Sequence, residues 1–294
     1  MKISNYAHNY SSRLHAGKMT YFDFLKLSAT LGVQGASCGL GEVGSSEREH
    51  LKKVRRAYLD NGLSVSMLAA GGNFSAPESD HPKLHEDLRG AVEAALFLGA
   101  PFVRIFAGVP PKGEERERAF ERSVRGTRKA CEAAAEAGMV LALQNHNHNS
   151  LTRTGAEALR FIRAVDHPNL SFCLDTGQFA GSPGATKPTV PMPDELRGAS
   201  YMDSIRLLAP LARYVRCKFY RVGPDGSDPY LDYDAIFDVL AQVRFRGFVD
   251  IVYEPARIKI GPVEEVETAV PRIVKYLRAM IAGVEGKINV GQTR

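Results

Sequence analysis

Short apolar runs alternate with longer amphipathic stretches along the whole chain. The runs have the length of buried strands, and the stretches repeat apolar residues at helical spacing. The predicted strands are KISNY (2–6), VQGAS (33–37), LSVSML (63–68), FVRIFA (102–107), VLALQN (140–145), LSFCLD (170–175), YVRCKFY (214–220) and VDIVYE (249–254). The predicted helices have apolar faces at Phe22, Leu25, Leu27 and Leu31, at Leu51, Val54, Tyr58 and Leu59, and within 84–98, 117–137, 154–165, 203–212, 232–243 and 264–281.

Turn residues agree with this division. A glycine that can end a helix precedes five of the strands, at Gly32, Gly62, Gly99, Gly138 and Gly247. No Pro- or Ser-rich linker divides residues 1–294. Eight strand–helix units in a domain of roughly 250 residues predict an α/β fold, a single (β/α)8 TIM barrel.

A doubly wound parallel sheet is the alternative arrangement of such units. That fold normally carries a Gly-rich phosphate loop after its first strand. The segment after the first strand here, NYAHNYSSRLHAGK (5–18), has no G-x-G-x-x-G motif. The barrel is therefore favoured, and no nucleotide cofactor is expected.

Composition narrows the class of protein. Of 294 residues, 44% are hydrophobic and 24% charged, as in soluble globular enzymes. The cysteines lie too far apart for a C-x-x-C site and are too few for a disulfide framework, at Cys38, Cys131, Cys173 and Cys217. No signal-peptide core and no apolar run near the ~18 residues of a membrane span is present. We therefore expect a cytoplasmic protein without membrane contacts.

The net charge of +5 is modest. Nucleic-acid-binding proteins usually concentrate basic residues in a patch or stripe. The densest charged stretch here, 113–129, alternates positive and negative residues, as an exposed helix face does. The charge pattern thus favours a small, anionic metabolite over nucleic acid as the partner.

Polar residues gather where the predicted strands end. In a (β/α)8 barrel the catalytic residues come from the carboxyl ends of the strands and the loops that follow. These positions hold His8, Cys38, Asn73, Phe74, Arg104, Gln144, Asn145, His146, His148, Asp175, Gln178, Arg216, Lys218 and Glu254. We expect one face of the barrel to carry the site.

Each of these residues also has a structural interpretation. His8 can serve only as a hydrogen-bonding group of a loop, and Arg104 can pair with a barrel carboxylate. Asp175 points more firmly to function, because a carboxylate after an apolar strand is costly to bury without a partner. Lys218 and Glu254 can form a structural ion pair or face a substrate as cation and base.

The segment QNHNHNS (144–150) brings two of the chain's eight histidines into one turn. A His-x-His pair can hold a transition metal, although two histidines do not complete a site and a polar loop before a helix is the alternative. Segment 177–200, with four prolines and four glycines, is longer than a simple connection needs. It is predicted to be a lid or a contact with another subunit, so a homo-oligomer or a partner subunit is an open interpretation.

Several segments resemble one superfamily of barrels over the length of the chain. They are VRIFAG (103–108), VLALQNH (140–146), SFCLDTGQF (171–179), YVRCKFY (214–220), GFVDIVYE (247–254) and GNF (72–74). The chain is similar in these segments to the xylose isomerase-like TIM barrels, which include sugar phosphate isomerases, epimerases and AP endonucleases. AP endonuclease activity is disfavoured, because those relatives bind three zinc ions through many histidines.

The resemblance implies a divalent metal, Mn, Mg or Zn, held by four ligands. A Glu after strand five falls on Gln144, and an Asp after strand six falls on Asp175. A His on strand seven falls on Arg216, and a Glu on strand eight falls on Val252 or Glu254. A further family histidine after the Asp falls on Gln178. The implied set here is thus Gln144, Asp175 and Glu254.

Two of these departures weaken a metal site. Gln144 removes a negative charge, and Arg216 cannot ligate because guanidinium stays protonated and has no acceptor. An added unit charge at ~4 Å costs a bound cation about 4 kcal/mol at an effective dielectric of 20. Either Arg216 takes over part of the metal's electrostatic role, or it points out of the barrel while His146 or His148 completes a metal site.

Three functions follow as expectations. The first is a sugar, keto-sugar or keto-acid isomerase or epimerase, with Glu254 or His146 as base and Lys218, Arg216 or a metal as electrophile. The substrate, a small polyhydroxylated carbonyl compound, would be bound by His8, Asn73, Arg104, His148, Gln178 and Arg216. The second is a lyase on a keto-sugar, a dehydratase or an enzyme cleaving an oxidised glycoside, and the third is a non-catalytic sugar-binding barrel.

Overall fold

Eight parallel strands follow one another in sequence order around a closed barrel. The computed structural model describes residues 1–183, 194–196, 198–255 and 263–291. The strands are β1 (Lys2–Tyr6), β2 (Gly35–Gly39), β3 (Ser64–Ala69), β4 (Phe102–Phe106), β5 (Val140–Gln144), β6 (Leu170–Asp175), β7 (Ala212–Phe219) and β8 (Phe248–Tyr253). Lys2 of β1 lies opposite Phe248 of β8, which closes the sheet. The predicted (β/α)8 barrel is confirmed.

A helix follows each strand on the outside of the barrel. These helices are α1 (Tyr21–Thr30), α2 (Arg48–Asp60), α3 (His81–Leu98), α4 (Arg116–Glu136), α5 (Gly155–Val165), α6 (Tyr201–Leu208), α7 (Tyr233–Gln242) and α8 (Val266–Gly291). Short helical turns cover Ala7–Tyr10, Ser11–His15, Leu40–Val43, Glu78–Asp80, Asp194–Leu196 and Ala209–Leu211. α1 begins at a capping box, in which Thr20 and Asp23 each bind the other's backbone N–H.

Four of the five predicted helix stops are correct, because their φ angles are positive and only glycine adopts these angles without strain, at Gly32, Gly62, Gly99 and Gly138. The prediction that Gly247 ends a helix is wrong. After α7 the chain turns at Arg244, whose φ is 52°. Gly247 is needed for a different reason, since a Cβ there would lie 2.5 Å from the carbonyl oxygen of Arg213.

The helix predicted over 203–212 ends at Leu208, and β7 begins at Ala212 rather than Tyr214. Pro210 explains the early end, because it lies in the 3-10 turn Ala209–Leu211 and a proline cannot continue the hydrogen-bonding of an α-helix. The earlier start lengthens β7 toward the amino end of the barrel, and the strand ends at Phe219, one residue before the predicted end, so Lys218 still lies near its carboxyl end.

The barrel interior holds both an apolar cluster and buried polar groups. One residue from each of seven strands forms an apolar cluster there: Tyr6, Met67, Phe102, Ala142, Cys173, Tyr214 and Val252. The Tyr214 hydroxyl also lies 2.9 Å from the Ser66 hydroxyl, which in turn lies 2.6 Å from that of Ser4. Charged residues are buried in the barrel as well, among them Arg216 of β7 and, two residues before Val252 on β8, Asp250.

The predicted lid or interface, 177–200, is only partly described. Residues 184–193 and 197 lie outside the described residues. The start of the segment is held by two hydrogen bonds to backbone oxygens. Ala180 N donates to Arg153 O at 2.7 Å, and the Ser182 hydroxyl donates to Gly177 O at 2.6 Å. Its role as lid or interface stays a prediction.

None of the helices in the described ranges has the length and apolar character of a membrane span.

Two glycines inside barrel helices offer a matched test of the packing. A Cβ at Gly126 of α4 would lie 2.9 Å from the Phe74 side chain, whereas a Cβ at Gly90 of α3 would meet no atom within 4 Å. We expect Gly126→Ala to lower the free energy of unfolding by about 1–3 kcal/mol through overpacking. Gly90→Ala should raise it by about 0.5–1 kcal/mol, because alanine favours helix. Urea unfolding measures both, and a neutral Gly126→Ala would contradict the contact with Phe74.

Candidate active site

Asp175 is a fully buried carboxylate at the carboxyl end of β6. Gln144 Nε2 donates to its Oδ2 at 2.9 Å, and Gly177 N donates to its Oδ1 at 3.1 Å. Lys218 Nζ lies 3.7 Å and Arg216 Nε 3.6 Å from the same Oδ2. Burial raises the pKa of Asp175, and the two cations counter this effect. The carboxylate thus joins the ends of β5, β6 and β7.

Asn145 fixes the backbone beneath this carboxylate. Its Oδ1 accepts from Asp175 N at 2.8 Å, and its Nδ2 donates to Asp175 O at 2.9 Å. Both groups are buried, so the amide satisfies backbone atoms at the point where β5 and β6 separate. The segment after β5 is therefore held rigidly to the end of β6.

Lys218 links Asp175 to Glu254. Lys218 Nζ lies 3.1 Å from Glu254 Oε2, and the lysine is only 1% exposed. The Glu254 side chain is 22% exposed, so it is the more open member of the pair. The structure resolves the register on β8, because Val252 lies opposite Lys218 and packs in the apolar interior cluster, whereas Glu254 follows the strand at the mouth.

Arg216 points into the barrel, so the alternative with an outward Arg216 is wrong. It lies in register with Asp175 of β6 on one side and Asp250 of β8 on the other. Its guanidinium carbon lies 4.2 Å from the centre of the Tyr6 ring. Burial alone would lower the pKa of Arg216, but Tyr6, Asp250 and Asp175 together raise it above its ordinary value. The guanidinium is a permanent buried charge.

Arg104 adds a second buried guanidinium on β4. It lies 4.1 Å from the centre of the Phe106 ring, and its Nη1 donates to Ala70 O at 3.0 Å. Burial lowers the pKa of Arg104, and the charge of Arg216 lowers it further. Arg104 and Arg216 are thus two buried cations, on β4 and β7.

His146 and His148 pack together after β5, with ring centres 4.8 Å apart. His146 Nδ1 accepts from His148 N at 3.3 Å, which assigns its ring proton to Nε2. Burial lowers the pKa of His146 to about 3, and the nearby His148, Lys218 and Arg104 add to the effect. His146 is therefore a neutral imidazole at neutral pH, able to donate one hydrogen bond.

The other predicted substrate-binding residues lie around this cluster with different partners. His8 is half-exposed and lies 3.0 Å from Glu42 Oε1. Asn73 Oδ1 accepts from the Ser75 hydroxyl and from Val109 N, so it ties the loops after β3 and β4 together. Gln178 is buried beside Asp175, whose backbone oxygen accepts from Gln178 N at 3.3 Å. Binding roles for these residues stay predictions.

Several buried polar atoms at this end of the barrel have no hydrogen-bond partner within the described ranges. They are Arg216 Nε and Nη1, Arg104 Nε, Gln144 Oε1 and Gln178 Oε1. Most buried polar atoms in proteins are hydrogen-bonded, so a cluster of exceptions needs an explanation. Donors and acceptors grouped around the carboxyl ends of four strands are what a polar ligand would satisfy.

The residues at the family's metal positions do not fit a divalent cation. Asp175 already accepts hydrogen bonds at both oxygens, and two cations lie within 4 Å of its Oδ2. Each such charge at ~4 Å would repel a divalent ion by about 8 kcal/mol at an effective dielectric of 20. No group of three or more His, Cys, Asp or Glu side chains in the described ranges is arranged to hold a metal.

Asp250 and Tyr6 belong to the site, but the sequence analysis missed both. Asp250 lies inside β8, fully buried, and Ser37 Oγ lies 2.9 Å from each of its carboxylate oxygens. A signal was present, because an aspartate in the middle of the apolar run VDIVYE needs a buried partner. Tyr6 gave no comparable signal, since a tyrosine at a strand end is ordinary core composition.

With this geometry in place, comparison with known proteins identifies the family. The chain belongs to the xylose isomerase-like TIM barrel family, whose model matches residues 25–280. Among solved structures, the probable 3-DHS dehydratase AsbF from Bacillus anthracis has a TM-score of 0.72, with 19% identity over 95% of this chain and 99% of that chain. D-psicose 3-epimerase from Clostridium cellulolyticum H10 also has a TM-score of 0.72, with 16% identity over 97% and 98%. At these identities the likeness is one of fold.

Two curated relatives have a higher sequence identity over shorter matched regions. The 2-oxo-tetronate isomerase of Haemophilus influenzae is 25% identical over 178 residues, which are 58% of this chain and 62% of that protein. The enzyme of the same name from Pectobacterium atrosepticum is 26% identical over 208 residues, 67% of this chain and 74% of that protein. The matched region thus spans less than two thirds of the Haemophilus protein.

The depressed pKa of His146 makes stability depend on pH. An unfolded histidine takes up a proton near pH ~6.5, whereas native His146 does so only at about 3. Between these values the unfolded chain binds the extra proton, so the free energy of unfolding falls as the pH drops from ~6.5 toward 3. We expect His146→Gln to remove part of this loss, measured by urea unfolding at about pH 7.5 and about pH 5.

Imidazole NMR signals provide the matching direct measurement. Comparison with the spectrum of His146→Gln identifies the His146 signals, because the variant lacks them. In the native protein these signals should stay unchanged between about pH 8 and about pH 5. A His146 titration inside that range would contradict the buried neutral imidazole.

Proposed function

We propose that this chain is an isomerase of small polyhydroxylated 2-oxo acids or closely related keto-sugars, and that it moves a proton between carbons beside the carbonyl group. The observation that carries this proposal is the pairing of Glu254 with Lys218 at 3.1 Å at the mouth of the barrel. It sets a half-buried carboxylate next to a buried ammonium group, which are the base and the electrophile that such a reaction requires.

Glu254 is assigned as the base. A carboxylate accepts a proton only while it is ionised, and an adjacent ammonium group favours that state. Glu254 is also the more exposed member of the pair. In the first step it removes a proton from the hydroxyl-bearing carbon beside the carbonyl, and the electron pair of that C–H bond forms the double bond of an enediolate.

Lys218 is assigned as the group that stabilises the enediolate oxygen, with Arg216 behind it. Both cations are held by Asp175, so their positions are set before the substrate binds. Neutral His146 can donate its Nε2–H to the second oxygen. In the second step Glu254 returns its proton to the former carbonyl carbon, while the hydroxyl proton transfers between the two oxygens, which completes the isomerisation.

The surrounding charges favour an acidic substrate. Three cations are buried on β4 and β7: Arg104, Arg216 and Lys218. If Glu254 is committed to proton transfer, Asp175 and Asp250 leave part of this positive charge for the carboxylate of a substrate. The name of the two curated relatives, 2-oxo-tetronate isomerase, supports the same substrate class.

Solvent exchange tests this function. Native protein incubated in D₂O with four- and five-carbon 2-oxo sugar acids should introduce deuterium beside the carbonyl group and form the isomer, both followed by NMR. Glu254→Gln should slow the exchange at least ~100-fold with little change in KM, because it removes the base and keeps the shape. Glu49→Gln, an exposed glutamate on α2 paired with Lys52, is the control and should keep full activity.

Other outcomes would replace the proposal. Unchanged exchange in Glu254→Gln would remove Glu254 from the role of base. Exchange followed by loss of water instead of isomer formation would make the protein a lyase. Saturable binding of the acids without any exchange would make it a non-catalytic barrel.

A further inference from the structure

We propose that Arg216 is a built-in cation that takes the position of the divalent metal implied by the fold family, and that it binds an oxygen of a carboxylate or enediolate directly. The ligand class is therefore a small planar oxo acid, bound without metal. This inference deepens the proposed function by naming the group that holds the anionic oxygen. Its test uses no substrate, so the two proposals can fail separately.

The first support is that Arg216 has an acidic residue beside it on each neighbouring strand. Arg216 is in register with Asp175 on β6 and with Asp250 on β8. An arginine that is only 3% exposed inside a barrel needs negative charge nearby, and Asp175 provides it with Oδ2 at 3.6 Å from Arg216 Nε. The acids thus stabilise an arginine here instead of a metal ion.

Asp250 is held by a hydroxyl group of β2. Ser37 Oγ lies 2.9 Å from both of its oxygens, and the carboxylate is fully buried. Burial raises the pKa of Asp250, while Arg216 and Ser37 act in the opposite direction. We therefore assign Asp250 as a positioning residue, which acts on the ligand only through Arg216.

The second support is the pair of donors that Arg216 keeps. The Tyr6 ring stacks on the guanidinium at 4.2 Å and holds its plane. Within the described ranges, Nη1 is buried without a hydrogen-bond partner, and Nε lies 3.6 Å from Asp175 Oδ2 without forming a hydrogen bond. Gln144 Oε1 is also unpartnered, although its Nε2 donates to Asp175. A fixed guanidinium with unused donors suits an anionic oxygen.

The third support is that the neighbouring oxygens are already engaged. Asp175 Oδ1 accepts from Gly177 N, and Oδ2 accepts from Gln144 Nε2. Lys218 Nζ lies 3.1 Å from Glu254 Oε2, so the second implied carboxylate also faces a cation. A metal ion would have to displace Lys218 and Arg216 together to reach both carboxylates.

Manganese binding tests the first half of the proposal. Native protein, purified with chelator and then freed of it, is titrated with Mn²⁺, and free Mn²⁺ is followed by EPR. We expect no stoichiometric binding up to about 1 mM. One tightly bound Mn²⁺ per native chain would overturn the proposal without any variant being made.

Two substitutions at one position sharpen this test. Arg216→His removes the cation and supplies an imidazole ligand, and it should bind Mn²⁺ at least ~10-fold more tightly than Arg216→Met, which removes the cation and supplies none. Circular dichroism and thermal unfolding confirm that each variant is folded. Equal Mn²⁺ affinities in the folded variants would overturn the assignment of this position to the metal.

Oxalate, a planar dicarboxylate, tests the second half. Calorimetry in the presence of EDTA should show one oxalate per native chain, with an affinity at least ~10-fold weaker in Asp250→Asn, which keeps Arg216 but loosens its support. Added Mn²⁺ should not strengthen binding to the native protein. Binding that requires Mn²⁺, or no binding of oxalate at all, would overturn the proposal even if proton exchange on oxo acids were established.

Discussion

The rest of the site depends on a carboxylate that the fold buries completely. Asp175 has no exposed surface, so its charge is tolerable only if donors surround it. Gln144, Gly177, Arg216 and Lys218 provide them from β5, from the turn after β6 and from β7. The side chains of Gln144, Arg216 and Lys218 are consequently positioned by Asp175, and separating any of them from it would leave buried charge without a partner. The barrel mouth is rigid because its charges hold one another.

The positive charge of Arg216 is covalently part of β7, and the residues in register with it on the two adjacent strands are the acids Asp175 and Asp250. Fixed cations need no reorganisation when negative charge develops on a substrate oxygen, which is the physical basis of electrostatic catalysis. Glu254 is paired with Lys218 and partly exposed, which agrees with its proposed role as the base that meets the substrate.

Much of the fold could be predicted from the alternation of apolar runs and amphipathic stretches. All eight strands were placed within a few residues, since each is a short buried run with its own turn signals. The misplaced details are local. Gly247 was taken as a helix stop although Arg244 turns the chain, because a sequence shows that a glycine is present but not whether φ or close packing requires it. The ionisable residues at the strand ends, Asp175, Lys218 and Glu254, could also be recognised from the sequence.

By itself, the sequence determined the barrel and the face of the barrel that carries the polar residues. It also showed that Gln144 and Arg216 stand at positions where the resemblance implies a Glu and a His. Only the tertiary structure decided that Arg216 points inward, that Asp175 and Tyr6 contact it, and that Glu254 rather than Val252 pairs with Lys218. The reason is physical. Periodicity is a local property of the chain, whereas the direction and charge balance of a buried side chain are set by residues on neighbouring strands that are distant in sequence.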